Sequence, residues 1–235
     1  MKFVFIDETG DEKFKKYLGF CVAVVDSKSY PLLKTEAQKI LAQAEWRPDV
    51  EFKGAYLFSR TKGCEEIEIE HRMEAARQLL ELNAQKNARM KFAYGSLDST
   101  APGKDYLRLV PALVDEVLPR APKGAGKNVL TVVYDERSDL NPAAFHRAIT
   151  EIAENKGYVL FETTVEGRSS FDTVGLMFAD LVGYLAARVE VISNDAELFE
   201  GLTLENYSEN GKIRKLESSS ELIANIKKLD LYRAA

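Results

Sequence analysis

The chain has 235 residues, 46% of them hydrophobic and 29% charged, the proportions of a folded globular protein with a sizeable core. Its formal net charge of −5 excludes a protein that coats nucleic acid through a broad positive field. An enzyme that holds a phosphodiester through bound cations and a small basic patch stays open, because such a site needs only local positive charge.

Two cysteines, Cys21 and Cys64, are too few for a disulfide framework and read as reduced cytosolic thiols. Neither histidine, His71 or His146, has a metal-ligating partner at helical spacing, which argues against a Cys/His zinc site. No apolar run reaches membrane-spanning length, and the charges just after Met1–Ile6 argue against a secretory signal. A cytoplasmic protein with no membrane partner is expected.

Lys2–Ile6 and Tyr17–Val25 are rich in aromatic and β-branched residues and are expected as two strands, joined in a hairpin by DETGDEKFKK. Ser29–Ala44 carries Leu32, Leu33, Ala37, Ile40, Leu41 and Ala44 at helical spacing, with Pro31 tolerated in the first turn. The stretch WRPDVEFKGAYLFSRTKG reads as irregular, and Glu65–Asn87 as a long helix. Met90–Leu97 is a strand candidate. Asp105–Leu118 is a helix whose middle is challenged by Pro111. RAPKGAGKN is a basic, glycine-rich turn. Val129–Tyr134 and Tyr158–Val165 are strands that flank a helix at Pro142–Asn155. Thr173–Ile192 is the most apolar helix of the chain, and the polar remainder from Asn194 holds one closing helix, Ser219–Lys228. A hairpin followed by alternating helices and strands implies an α/β layered domain with a mixed sheet and helices on both faces. Ligands of such domains bind beyond the carboxyl ends of strands.

Acidic residues fall where that architecture would gather them. Asp7 follows FVFI, with Glu8 and Asp11 close behind, and Asp135 and Glu136 follow LTVVY. Parallel neighbouring strands would bring these carboxylates together. A charged turn and a helix-start cluster are the structural alternatives. Between Asp172 and Arg188, Asp180 is the only charged residue of a helix apolar nearly all round, so burial of its carboxylate is expected. A buried carboxylate needs a partner, which a basic side chain, a proton, a metal cation or a backbone donor would supply. Gly183 and Ala187 on the same side permit another element to approach, and Asp172 is placed to cap the helix start. In EFKG, Glu51 and Lys53 share one face if the segment is extended. The alternative there is a solvated edge. Hard divalent cations such as Mg²⁺ or Mn²⁺ take oxygen ligands, and two of them ~3.5–4 Å apart promote in-line phosphoryl displacement.

GAGKN fails as a phosphate loop. It precedes a strand instead of following one, with Ala121 where glycine belongs and Asn128 where serine or threonine belongs. Lys123 and Lys127 make it a basic turn suited to touching a phosphate backbone. DETGD lacks the glycine pattern of actin-like ATPases, and IDET lacks the second aspartate of haloacid-dehalogenase-type phosphatases.

In order and spacing, IDETGD, EFKG, VVYDERSD and GLMFADLVGYL resemble the domain of unknown function 3800 family, which belongs to the ribonuclease H-like superfamily. That family's pattern is a strand ending in D-E-S-G, an E-x-K motif, a mid-chain strand ending in aspartate and a late Q-x-A-D-L helix. The resemblance runs from Phe3 to about Leu185. It implies a single ribonuclease H-like domain over residues 1–235, with a helical insertion at about 29–89 and a C-terminal extension from about 194. It also implies that Asp7, Asp135 and Asp180, with Glu51 as a fourth, bind one or two Mg²⁺ or Mn²⁺ ions. Glu8 and Lys53 would support them, and Lys53 would join the acids in the catalytic set. Thr9 replaces the commoner serine and keeps its hydroxyl, whereas Met177 stands where the family often has glutamine. The function implied is metal-dependent nuclease or phosphodiesterase activity on nucleic acid, with cation-activated water in place of a histidine base. A non-catalytic ribonuclease H-like binding module for a protein or nucleic-acid partner is the alternative.

Overall fold

The structure is a computed structural model that describes residues 1–10, 17–58, 66–84, 90–98, 102–123, 128–134, 139–163, 173–194 and 231–233. Among the described residues six strands form one sheet: β1 (Lys2–Gly10), β2 (Tyr17–Asp26), β3 (Lys91–Asp98), β4 (Asn128–Tyr134), β5 (Tyr158–Thr163) and β6 (Leu231–Arg233). Their order is β5-β4-β1-β2-β3-β6. β2 runs antiparallel to β1 and β3, while the pairs β1–β4, β4–β5 and β3–β6 are parallel. This is the mixed sheet with an N-terminal hairpin that the sequence leads one to expect.

Strand residues alternate between two faces, and both faces are covered, which is why FVFI, FCVAVV and LTVV read as unbroken apolar runs. Val4, Ile6, Phe20 and Val22 face helices α3 (Pro102–Val117) and α4 (Pro142–Lys156). Phe5, Cys21, Ala23 and Tyr94 face α1 (Tyr30–Gln43), α2 (Ile69–Ala84) and α5 (Val174–Asn194).

Pro111 does not break α3, although an interior proline costs about 3 kcal/mol. Tyr106, Val110, Leu113, Val114 and Val117 form a buried stripe along that helix, and burial at roughly 1.5–3 kcal/mol per large side chain outweighs the proline. α4 follows its local signals closely. Asn141 caps it by accepting a hydrogen bond from the Ala144 N–H (3.0 Å), Pro142 opens it, and Gly157 ends it in the left-handed region at φ 83°.

α5 crosses β1 and β2 at close range because it carries glycine there. A Cβ at Gly175 would lie 2.3 Å from the Phe5 ring, and one at Gly183 would lie 2.9 Å from the Cys21 Cβ. No other residue fits either position without moving the helix.

Several boundaries differ from the expected ones. β1 continues past Ile6, pairing Asp7 with Cys21 and running on to Gly10 opposite Leu18. Hydropathy ended the strand at the first acid, whereas the ladder with β2 extends it. α2 starts at Ile69, later than Glu65, and stops at Ala84. A short 3-10 helix, Gly54–Phe58, interrupts the stretch read as irregular. β6 is three residues long and offered no periodicity to detect. The closing helix at Ser219–Lys228 lies outside the described residues. No helix among the described residues is long and apolar enough to cross a membrane.

Candidate functional site

Asp7 belongs to the row of β1 that includes Phe3 and Phe5, on the α5 side of the sheet, and it pairs across the hairpin with Cys21. Its Oδ1 accepts a hydrogen bond from the Glu8 N–H at 2.8 Å. α5 descends onto the same place, Gly183 meeting Cys21, and it brings Asp180 with it. Burial first, then the charge of Asp7, then that of Asp180, push the Cys21 thiol well above its ordinary pKa. Two carboxylates from opposite ends of the chain therefore bear on one buried sulfur.

Asp180 departs from expectation in one respect. Leu176–Ala179 and Leu181–Gly183 are buried, yet Asp180 itself is only partly so, as is Tyr184 one turn later. These two mark the narrow polar stripe of an otherwise apolar helix. The carboxylate meets a backbone donor: the Gly54 N–H donates to Asp180 Oδ2 at 2.7 Å, across 126 residues of sequence. Glycine is required at position 54, because a Cβ there would stand 2.5 Å from the Cβ of Tyr184.

Lys53 precedes that contact, its Nζ 3.3 Å from Glu51 Oε2. Burial works against its charge. Glu51, by charge and hydrogen bond, and then Asp180 and Tyr56 more than compensate, so the Lys53 pKa stands above the usual lysine value. Glu51 and Lys53 thus reach each other as their alternate spacing suggested, although the segment belongs to no strand.

Asp135 lies outside the described residues, as do Glu136, Asp11 and Asp172. The described part of β4 ends at Tyr134, opposite Ile6, one residue short of Asp7 in the parallel register. Met177 is fully buried in the core on the α5 side, where a glutamine amide would need partners of its own. His71 and His146 are both exposed, on α2 and on α4.

Among the described residues, no three Asp, Glu, His or Cys side chains gather closely enough to hold a metal ion. Asp7 and Asp180 still have the donor chemistry of a hard divalent ion. The Cys21 thiol, pushed up by burial and then by the charges of Asp7 and Asp180, stays protonated at neutral pH, so the softer sulfur does not compete. Sequence reasoning missed three contributors. Cys21 read as a plain core residue, Tyr184 as part of an apolar helix, and the Gly54 N–H carries no signal in a sequence.

Neither a protein-family model nor a curated protein matches the chain. Among solved structures it is similar to a chain in the structure of the PCNA:RNase HII complex from Archaeoglobus fulgidus. The identity is 12% and the TM-score 0.43, covering 95% of this chain and 87% of that one. It is also similar to ribonuclease H2 from Pyrococcus horikoshii OT3, at 14% identity and a TM-score of 0.42, covering 97% of this chain and 100% of that one. At this level of likeness neither passes an activity, a substrate or a partner to this chain.

Proposed function

We propose that this chain is a divalent-metal-dependent hydrolase of phosphodiester bonds in nucleic acid, of the domain of unknown function 3800 family that its motifs resemble. The observation that supports this most directly is that β1 carries Asp7, opposite Cys21, on the face of the sheet that α5 crosses with Asp180, Gly183 of that helix resting on Cys21. In this reading Asp7 and Asp180 hold Mg²⁺ or Mn²⁺, with Asp135 and Glu51 completing the oxygen set.

A bound ion, or a pair of ions, would supply Lewis-acid polarisation of the phosphoryl group and a water of lowered pKa. The chain's own residues do the rest. The Gly54 N–H fixes one oxygen of Asp180 in orientation, and the backbone of Glu8 does the same for Asp7. Lys53 keeps a full positive charge beside Asp180, placed to offset negative charge that develops on a substrate phosphate.

One observation favours the alternative, a non-catalytic binding module. Asp180 already receives a backbone hydrogen bond, and Glu51 already pairs with Lys53, so both acids have protein partners. A cleavage panel of single-stranded and duplex DNA, RNA, hybrid and branched DNA with Mg²⁺ or Mn²⁺ separates the two. Cleavage that is lost in both Asp7→Asn and Asp180→Asn supports the hydrolase. Equal cleavage by wild type and both variants would place the chemistry elsewhere, and a panel left intact together with no Mn²⁺ binding would favour the binding module.

A further inference from the structure

Glu51 and Lys53 are the parts of the candidate site that no helix or strand ladder holds, since residues 51–53 have irregular backbone, and Gly54 only opens the short 3-10 helix that follows. Side chains hold them instead. On the N-terminal side, the Trp46 indole Nε1–H donates to the Val50 carbonyl at 3.1 Å, and its ring lies 4.8 Å from that of the fully buried Phe52. On the C-terminal side, the Tyr56 N–H donates to the Lys53 carbonyl at 2.9 Å, closing the turn. The Tyr56 carbonyl in turn accepts from Arg72 Nη1 at 2.9 Å, while Arg72 Nε donates to the Ile67 carbonyl at 2.7 Å.

Arg72 is 1% exposed. Burying a guanidinium is a poor way to gain stability, because an apolar side chain of similar volume commonly does better. It is a good way to fix geometry. The planar fork presents donors in set directions, and here two of them reach chain segments on either side of residues 59–65. A lysine has one nitrogen and lacks that fork.

We propose that Arg72 and Trp46 are positioning residues, a two-sided clamp that keeps the Gly54 N–H and Lys53 against Asp180. The clamp is defined by geometry, and its role in hydrolysis rests on the function proposed above. Neither residue touches Asp7 or Asp180 through any of these bonds, so the effect passes through the backbone of 51–56.

The test reads the Gly54 amide directly. Hydrogen exchange by NMR is compared in the full chain for wild type, Arg72→Met, Arg72→Lys and Trp46→Phe, with the Val22 and Val24 amides of β2 as internal controls. Mn²⁺ affinity is measured calorimetrically on the same samples. Loss of one clamp bond is expected to speed Gly54 exchange by about tenfold relative to the controls. Arg72→Lys should fall between wild type and Arg72→Met, and Mn²⁺ binding should weaken in the same order. Trp46→Phe keeps an aromatic ring beside Phe52 while removing the donor, so it remains informative if the Arg72 variants fail to fold. Unchanged Gly54 exchange in folded variants overturns the clamp, whatever Mn²⁺ does. Faster exchange in a protein whose wild type binds no Mn²⁺ sustains the clamp and overturns the metal-dependent reading instead.

Discussion

Gly183→Ala sets two known effects of opposite sign against each other. In a helix interior, alanine is favoured over glycine by about 0.8–1 kcal/mol, so the substitution stabilises α5 taken alone. In the folded chain the new methyl would stand 2.9 Å from the Cys21 Cβ, where ordinary contact begins near 3.4 Å, so the two carbons must part by about half an ångström. Neither is the end of a flexible side chain, and the separation has to come from α5 lifting off β2. Overpacking of this kind costs about 1–3 kcal/mol, which leaves a net loss of about 1 kcal/mol. For a chain of this size that corresponds to a fall in Tm of about 2–4 °C, measurable by calorimetry or by circular dichroism. Cys21→Ala in the same background should give no relief, because the clash is with the Cβ that alanine keeps; the sulfur lies 4.0 Å away. A rise in Tm for Gly183→Ala would refute the reasoning: it would mean the propensity gain is unopposed and α5 does not rest on Cys21.

Asp7→Asn and Asp180→Asn should each weaken Mn²⁺ binding by tenfold or more in calorimetric titration, since each removes a charged oxygen donor while keeping its shape; unaltered affinity in both would move the ion elsewhere. Tyr30, packed on Phe5 at a ring distance of 5.3 Å, has its phenol pushed above the ordinary value of 10.0 by burial, against a backbone hydrogen bond with Gly175. The stability it contributes is fully present below that ordinary value and is lost as pH rises through the raised folded one, so urea midpoints should fall on the alkaline side and Tyr30→Phe should flatten that fall. An equal slope in the variant would assign the alkaline loss to other groups, Tyr158 among them, whose phenol is also raised by burial and then by Asp26. Asn141→Ala removes the cap of α4 and should cost about 1 kcal/mol in urea denaturation; no change would mean that the Ala144 N–H finds water instead.

The legible parts of this chain are those whose cause is local. α4 could be read almost to the residue, because Asn141, Pro142 and Gly157 each act on their nearest neighbours. β1 could be read only as far as Ile6, because what carries it on to Gly10 is the partner strand, and Asp7 becomes a strand residue only once Cys21 is opposite it. α3 shows the same limit from the other side: Pro111 is a true local breaker, overruled by a buried stripe that exists only in the fold.

The same division runs through the candidate site. A lone aspartate in an apolar helix announces that Asp180 needs a partner, but not which. The answer is a backbone N–H 126 residues away, admitted because Gly54 has no Cβ to strike Tyr184. That glycine in turn is useful only while the segment leading to it is held, and the donors that hold it, Trp46 and Arg72, lie in stretches that read as irregular chain and as an ordinary helix. Carboxylates are visible in a sequence because charge against an apolar background is improbable. The groups that orient them are backbone amides and buried donors, whose purpose appears only when the chain has closed around them. For a site of this kind, the acids identify the chemistry and the surrounding hydrogen bonds decide whether it is competent, which is why the Gly54 amide is the most informative single probe of this fold.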